Sequence, residues 1–281
     1  MGIHYSKNHN KKLNHNKTPN NKNNNMKILI TNDDGLSSDG ILAVKQAVED
    51  LGETTVVAPQ SQQSGVGHAI TLMKPLRVFK TKLKDGSYGY AVTGTPTDSL
   101  IMGSKFIVEG GPDLVISGIN VGENLSRSIT TSGTLGATFE AASFKIPSIA
   151  VSLEIDREDL KFKNGPEDID FSFAQKILKK VARNVIKHGM PEGADILNLN
   201  IPANPESEEI IQTKLANRMY STTVEERQDP YGHNYYWIKG DMLKQDGEGT
   251  DVNTLHQLHQ PVITPLSVDM TADVDVKKWI E

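Results

Sequence analysis

The chain is 281 residues long, 37% hydrophobic and 23% charged, which is globular composition with length for one large domain or two small ones. It contains no cysteine, so disulfides, thiolate zinc sites, iron–sulfur clusters and cysteine nucleophiles are excluded, and any metal must be held by oxygen or imidazole. The formal net charge is −5, and because residues 1–25 hold five lysines and no acid, the remainder carries −10. An acidic body argues against a surface for long nucleic acid, which is bound mainly by neutralising phosphates with Lys and Arg.

Residues 1–25 are rich in Asn, Lys and His and nearly devoid of large apolar side chains. Such a segment cannot bury enough surface to offset its ordering entropy and reads as a disordered tail ahead of a folded part starting at Met26. No apolar stretch follows its basic residues as a secretory signal requires, and no later run approaches the ~20 apolar residues of a membrane span. The expectation is a cytoplasmic protein without membrane contact.

Met26–Thr31 (MKILIT) is a short, β-branched apolar run ending abruptly in Asn32-Asp33-Asp34-Gly35, the pattern of a buried strand entering a turn. Ser38 and Asp39 can cap a helix whose apolar positions Ile41, Val44, Val48 and Leu51 recur at helical spacing until Gly52. A strand at Thr54–Ala58 completes a βαβ unit, the signature of a parallel sheet covered by helices. Ala69–Val92 alternates around Asp85-Gly86 and reads as an antiparallel insertion. Further strands are expected at Pro112–Ser117, Ile149–Leu153 and Ile196–Ile201, with helices at Thr134–Phe144 and Phe171–Lys187. From Pro205 the texture changes: Asp229-Pro230-Tyr231-Gly232 is a turn, and Tyr235, Tyr236 and Trp237 form an aromatic strand. That ribbon exposes apolar surface unless a second subunit covers it, so an oligomer is expected. Asp273–Glu281 is read as a short helix.

Ligands of open parallel sheets collect outside the carboxyl ends of the strands. Three loops there carry chemistry. The first holds Asp33 and Asp34, adjacent acids that repel unless a cation or hydrogen-bond donors compensate; a solvated Asp-Gly turn is the alternative. The second, Pro59 to His68, is long, polar and punctuated by glycine. The third runs from Gly118 through Asn120 and leads to Ser132-Gly133-Thr134, where small residues at a helix start offer N–H donors to an anion, though capping alone explains Ser132 or Thr134 as well. His68 has two readings, an acid for a leaving oxygen or a ring that hydrogen-bonds its own loop. His256 and His259 have no carboxylate or third imidazole at ligand spacing and are assigned no zinc.

The stretches MKILITNDDG, VVAPQSQQSG, TGTPTDS, PDLVISGINVGENL, SGTLGA, DPYGHNYYW and ITPLSVDMT, in this order, closely resemble the SurE survival-protein nucleotidases across nearly everything after Asn25. The resemblance implies a Rossmann-like α/β fold, a mostly parallel sheet flanked by helices with an antiparallel insertion and an extended C-terminal hairpin arm. It implies a single domain over residues 26–281, with a core at 26–204 and an arm and helix at 205–281. It further implies a metal-dependent 5′-nucleotidase acting on nucleoside 5′-monophosphates, also 3′-monophosphates and short polyphosphate, and a homodimer or homotetramer joined by exchanged C-terminal elements. Metal ligands fall by motif on Asp33, Asp34, Ser64 and Asn120, holding one divalent ion per subunit, Mg²⁺ or Mn²⁺.

Those residue types suit that chemistry. Two carboxylates cancel the charge of a hard divalent cation, and a hydroxyl and an amide oxygen complete the set, leaving a neutral site that accepts a phosphate dianion. In this reading Asp33 and Asp34 are catalytic as well as ligands, one of them orienting the attacking water, while Ser132, Gly133 and Thr134 bind phosphate oxygens. Two rivals remain. A haloacid-dehalogenase-like phosphatase would form an aspartyl-phosphate, but its acids are usually spaced Asp-x-Asp. A nucleotide-sensing module would keep the fold without turnover.

Overall fold

A computed structural model describes residues 26–155 and 169–280. The N-terminal tail of residues 1–25 lies outside the described residues.

β1 (Lys27–Thr31), α1 (Asp39–Val48) and β2 (Glu53–Pro59) form the expected βαβ unit, with β1 parallel to β2. Ser38 caps α1 as its composition suggests, its hydroxyl accepting from the Ile41 amide at 3.3 Å. β3 (Val78–Lys82) and β4 (Tyr88–Val92) are the antiparallel hairpin around Asp85-Gly86. Rather than standing apart, the hairpin extends the main sheet, because β4 runs parallel to β2. α2 (Pro96–Met102) follows, then β5 (Leu114–Val121), α3 (Gly133–Ser143), β6 (Ser148–Leu153), α4 (Ser172–His188) and β7 (Ile196–Ile201).

The segment after residue 204 divides. β8 (Ile211–Gln212) and, later, β11 (Val262–Leu266) join the main sheet, with β11 antiparallel to β7. Between them β9 (Thr223–Gln228) and β10 (Asn234–Lys239) pair, among the described residues, only with each other, and α5 (Asp251–Leu258) returns the chain to the body. The sheet order is β3-β4-β2-β1-β5-β6-β7-β11-β8. The helix read at Asp273–Glu281 reduces, within the described residues, to one 3₁₀ turn at Lys277–Trp279. No buried residue anchors that turn, so nothing repays the cost of nucleating a longer helix.

Two apolar layers cover the sheet. Ile41, Val44 and Val48 of α1 and Ile177, Leu178 and Val181 of α4 pack on one face with Ile28, Ile30 and Ile116. Leu100 of α2 and Ala137 and Ala141 of α3 pack on the other with Leu29, Val57 and Val115. β1 lies between β2 and β5, and the chain leaves β1 toward α1 but leaves β5 toward α3, on opposite faces. The crevice between those two strand ends is where such sheets bind ligands.

Close approach shapes its walls. At Gly118 φ is +136°, and a Cβ there would lie 2.1 Å from the Val151 carbonyl oxygen, so only glycine lets β5 bend at its shifted register with β6. A Cβ on Gly40 would lie 2.1 Å from the Ile119 carbonyl oxygen. Gly40→Ala is therefore expected to destabilise the protein by about 1–3 kcal/mol, as overpacking does, and a chemical denaturation curve would check it.

Candidate functional site

The turn after β1 builds its own frame. Asn32, fully buried, accepts from the Gly35 amide at 3.1 Å and donates to Ser38 Oγ at 2.7 Å, tying the turn to the cap of α1. The two acids between them face different neighbours. Asp33 is buried against the start of α3, where the Thr134 hydroxyl donates to its Oδ1 at 2.5 Å. A Cβ on Gly133 would lie 2.8 Å from Asp33 Cβ, so glycine is what lets α3 approach this closely. Asp34 receives the Gln62 side-chain amide at its Oδ1 and the Val121 backbone amide at its Oδ2, both at 3.4 Å.

These contacts connect the three loops. Gln62 Nε2 also donates to Ser64 Oγ at 3.0 Å, so Asp34 Oδ1 and the Ser64 hydroxyl lie within two hydrogen-bond lengths of each other. The backbone amide of Gln63 donates to the Asp33 carbonyl at 2.7 Å. On the other side, Val121 directly follows Asn120, whose side-chain nitrogen donates to the Gly122 carbonyl at 2.5 Å, leaving the amide oxygen for a ligand. Hydrogen bonds thus tie Asp34 to Ser64 through Gln62 and to the end of β5 through Val121, next to Asn120, at the β1/β5 crevice.

Its electrostatics are those of a site short of positive charge. Burial pushes the Asp33 carboxyl above its ordinary value, although the Thr134 hydroxyl and the backbone amides of Asp33 and Thr134 pull the other way. Burial, then the charge of Asp33, push Asp34 up to about 7, against the Val121 and Gln62 donors. Among the described residues no Lys, Arg or His pairs with either acid. No group of three or more His, Cys, Asp or Glu side chains placed to hold a metal occurs among them either. The crevice therefore gathers two acids, a hydroxyl and an amide oxygen with no cationic side chain paired to the acids among the described residues.

The residues read as phosphate-binding separate in role. Thr134 is fully buried, and both its hydroxyl and its backbone amide serve Asp33. Ser132 caps α3 by accepting from the Leu135 amide at 3.3 Å, which leaves its own proton free to donate. His68 turns away from the crevice: its Nε2 lies 2.8 Å from Glu140 Oε2. Glu140 sits six residues along α3 from Thr134, roughly 9 Å at 1.5 Å per residue. The ring therefore bonds neither its own loop nor a group at the crevice: it latches the second loop to α3.

Two parts of the site were not anticipated. Gln62, the bridge between Asp34 and Ser64, carries no sequence signal that sets it apart from the other amides of its polar loop. α2 abuts the start of α3, with Pro96 Cγ 3.1 Å from where a Gly133 Cβ would be, and was read only as part of a motif. Its signal was present in Thr95-Pro96-Thr97-Asp98: the Asp98 amide donates to Thr95 Oγ1 at 3.0 Å and the Thr95 amide donates to Asp98 Oδ2 at 2.9 Å, a capping box with proline at the first helical position.

The model of the family described as survival protein SurE matches residues 28–222. The chain belongs to the SurE family. Among curated SurE relatives, one from Methanosphaera stadtmanae, named 5′-nucleotidase SurE, is 68% identical over 256 residues, covering 91% of this chain and 100% of the relative. Another of the same name from Methanobrevibacter smithii is 54% identical over 258 residues, covering 91% and 100%. The crystal structure of a SurE protein from Aquifex aeolicus superposes with a TM-score of 0.73 at 37% identity, covering 90% of this chain and 98% of that one. The α/β architecture, a mostly parallel sheet flanked by helices, is shared with that SurE structure.

The Thr134 contact yields a direct expectation. Thr134→Val keeps the shape and removes a hydrogen bond to a charged group worth about 1.5–3 kcal/mol. Loss of the donor raises the Asp33 carboxyl further, and affinity for Mn²⁺ should fall roughly tenfold or more in an isothermal titration at pH 7.5.

Proposed function

We propose that this chain is a metal-dependent 5′-nucleotidase that hydrolyses nucleoside 5′-monophosphates to nucleoside and phosphate, with 3′-monophosphates and short polyphosphate as further substrates. The carrying observation is the Asp33–Asp34 pair, buried at the β1/β5 crevice without a cationic partner among the described residues and hydrogen-bonded to the loops of Ser64 and Asn120. The relatives' shared name supports the substrate class.

Asp33, Asp34, Ser64 and Asn120 fit a single hard divalent cation, Mg²⁺ or Mn²⁺, because all offer oxygen and the two charges balance the ion. Such an ion supplies Lewis-acid stabilisation of the phosphate oxygens and activates water. The protein does the rest. Asp33 is fixed by Thr134, and Asp34 by Gln62 and Val121, so that neither acid reorganises during turnover. One of the two orients the attacking water. The amide of Gly133 and the hydroxyl of Ser132, at the start of α3, hold phosphate oxygens, and Thr134 contributes through Asp33.

The same reading includes a homodimer or homotetramer formed through the C-terminal elements. Among the described residues β9 and β10 pair only with each other, and Tyr236, Trp237 and Ile238 are 60%, 55% and 80% exposed, an apolar ribbon suited to a second subunit. A cytoplasmic site of action belongs to it too, since nucleotide pools are intracellular. No helix among the described residues is long and apolar enough to cross a membrane.

The deciding experiment measures phosphate release from AMP and GMP with and without Mn²⁺, beside Asp33→Asn. Release that needs the ion and is lost in the variant is expected. Nucleotide binding without release would favour a sensing module, and a trapped phosphoaspartate would favour a covalent phosphatase.

A further inference from the structure

The end of β5 that carries Asn120, with the loop that follows it, is held from outside by α5, through a buried chain of side chains absent from the site described above. Glu123, three residues after Asn120, is buried in this loop, and His256 on α5 is buried opposite it. The His256 side chain is 1% exposed; its Nδ1 lies 2.8 Å from Glu154 Oε1, and its Nε2 faces Glu123 Oε1 at 3.9 Å. Glu154, at the end of β6, also accepts from the Ala203 amide at 3.1 Å beyond β7. Burial works to raise the Glu154 carboxyl, but the His256 contact and the Ala203 amide outweigh it, so it stays below its ordinary value. A second tie lies one turn earlier on α5: Asp251 accepts from the Ser126 amide at 2.8 Å and from the Ala216 amide at 2.9 Å. Ser126 has φ +58°, so the loop is held there in a conformation that L residues rarely adopt.

The ring is hydrogen-bonded to Glu154 and lies against Glu123 beyond hydrogen-bond reach, its Nε2 having no hydrogen-bond partner among the described residues, so it supports Glu123 by packing and proximity. Glu154 thereby joins the ends of β6 and β7 to His256, and His256 packs against the segment whose Val121 amide holds Asp34. We infer that His256, supported by Glu154 and Asp251, is a positioning residue for the metal site, fixing the Asn120–Ser126 loop so that Asn120 and the Val121 amide meet Asp34 in register. This rests on the reading of Asn120 as a metal ligand. Sequence spacing does not reveal it, because Glu154 is 102 residues away from His256.

The test uses the full-length protein and Mn²⁺ alone as probe. Mn²⁺ affinity is measured by titration calorimetry for the unaltered chain, Asn120→Ala, His256→Leu and the double variant, each below its melting temperature. His256→Leu is expected to weaken Mn²⁺ binding about 10-fold or more, the range of supporting groups around metal ligands. The KM for AMP at saturating Mn²⁺ should move less than twofold. The double variant should bind scarcely more weakly than Asn120→Ala, because both act through one loop. Unchanged Mn²⁺ affinity in folded His256→Leu, or fully additive losses in the double variant, overturns the inference while Asn120→Ala still weakens binding. If Asn120→Ala binds Mn²⁺ normally, the reading of Asn120 fails instead, and the inference with it. Should His256→Leu not fold, Glu123→Gln, which keeps the shape and removes the charge facing the ring, is judged by the same affinities.

Discussion

Asp34→Asn is expected to lower kcat/KM for AMP by at least about 10³-fold while making the metal-free protein more stable at pH 8. The activity loss follows from the proposed role: stabilisation by a bound cation amounts to several kcal/mol, and each 1.36 kcal/mol is a factor of ten in rate. Asparagine keeps the shape but offers a weaker, neutral oxygen. The stability gain has a separate origin. Burial and the neighbouring charge of Asp33 hold the Asp34 carboxyl at about 7, so at pH 8 the folded protein carries a charge it would shed. Removing that charge should return roughly 2–4 kcal/mol and raise the melting temperature by roughly 5–10 °C. Loss of activity together with loss of stability would mean that Asp34 is structural, and retained activity would remove it from the site.

This combination of lost function and gained stability marks residues whose arrangement conflicts with folding. It is also why the site was legible before the fold was known. Adjacent aspartates closing the apolar strand Met26–Thr31 break the local pattern, and the structure places them at the crevice where the chain leaves β1 and β5 for opposite faces. Strands with continuous apolar runs, such as Leu114–Ile116 within β5, were equally readable because burial on both faces leaves one pattern. The rest lay in contacts that no local pattern encodes. β11 joins the sheet antiparallel to β7 across sixty intervening residues, and its sequence Val262–Leu266 contains Pro265, which weakens any strand reading. α5 is short, and its importance lies in Asp251 and His256 reaching loops over a hundred residues away. Thr134 illustrates the intermediate case: read as a phosphate-binding residue, it lies beside Asp33 with its hydroxyl bonded to that acid.

The metal-free protein should lose stability as the pH rises from about 5 to 8, and Mn²⁺ should reverse the loss. Both aspartates are raised in the folded state above their ordinary 3.8, Asp34 to about 7. A group raised in this way is protonated more readily when folded, so its contribution is fully present below pH 3.8 and disappears as the pH climbs through the folded value. A divalent cation needs the deprotonated acids, and its binding competes with those protons. Below about pH 7 the apparent Mn²⁺ affinity should therefore fall about tenfold per pH unit for each proton displaced, and above pH 7.5 it should level off. The increase in melting temperature on adding Mn²⁺ should be larger at pH 8 than at pH 6, because stabilisation grows with the ratio of free ion to dissociation constant. Asp34→Asn should flatten both profiles. Thermal melts across pH 5.5–8.5, with and without the ion, measure all of this in one series. A melting temperature that rises with pH in the absence of metal, or an Mn²⁺ increment independent of pH, would show that the two buried acids are not what the cation neutralises.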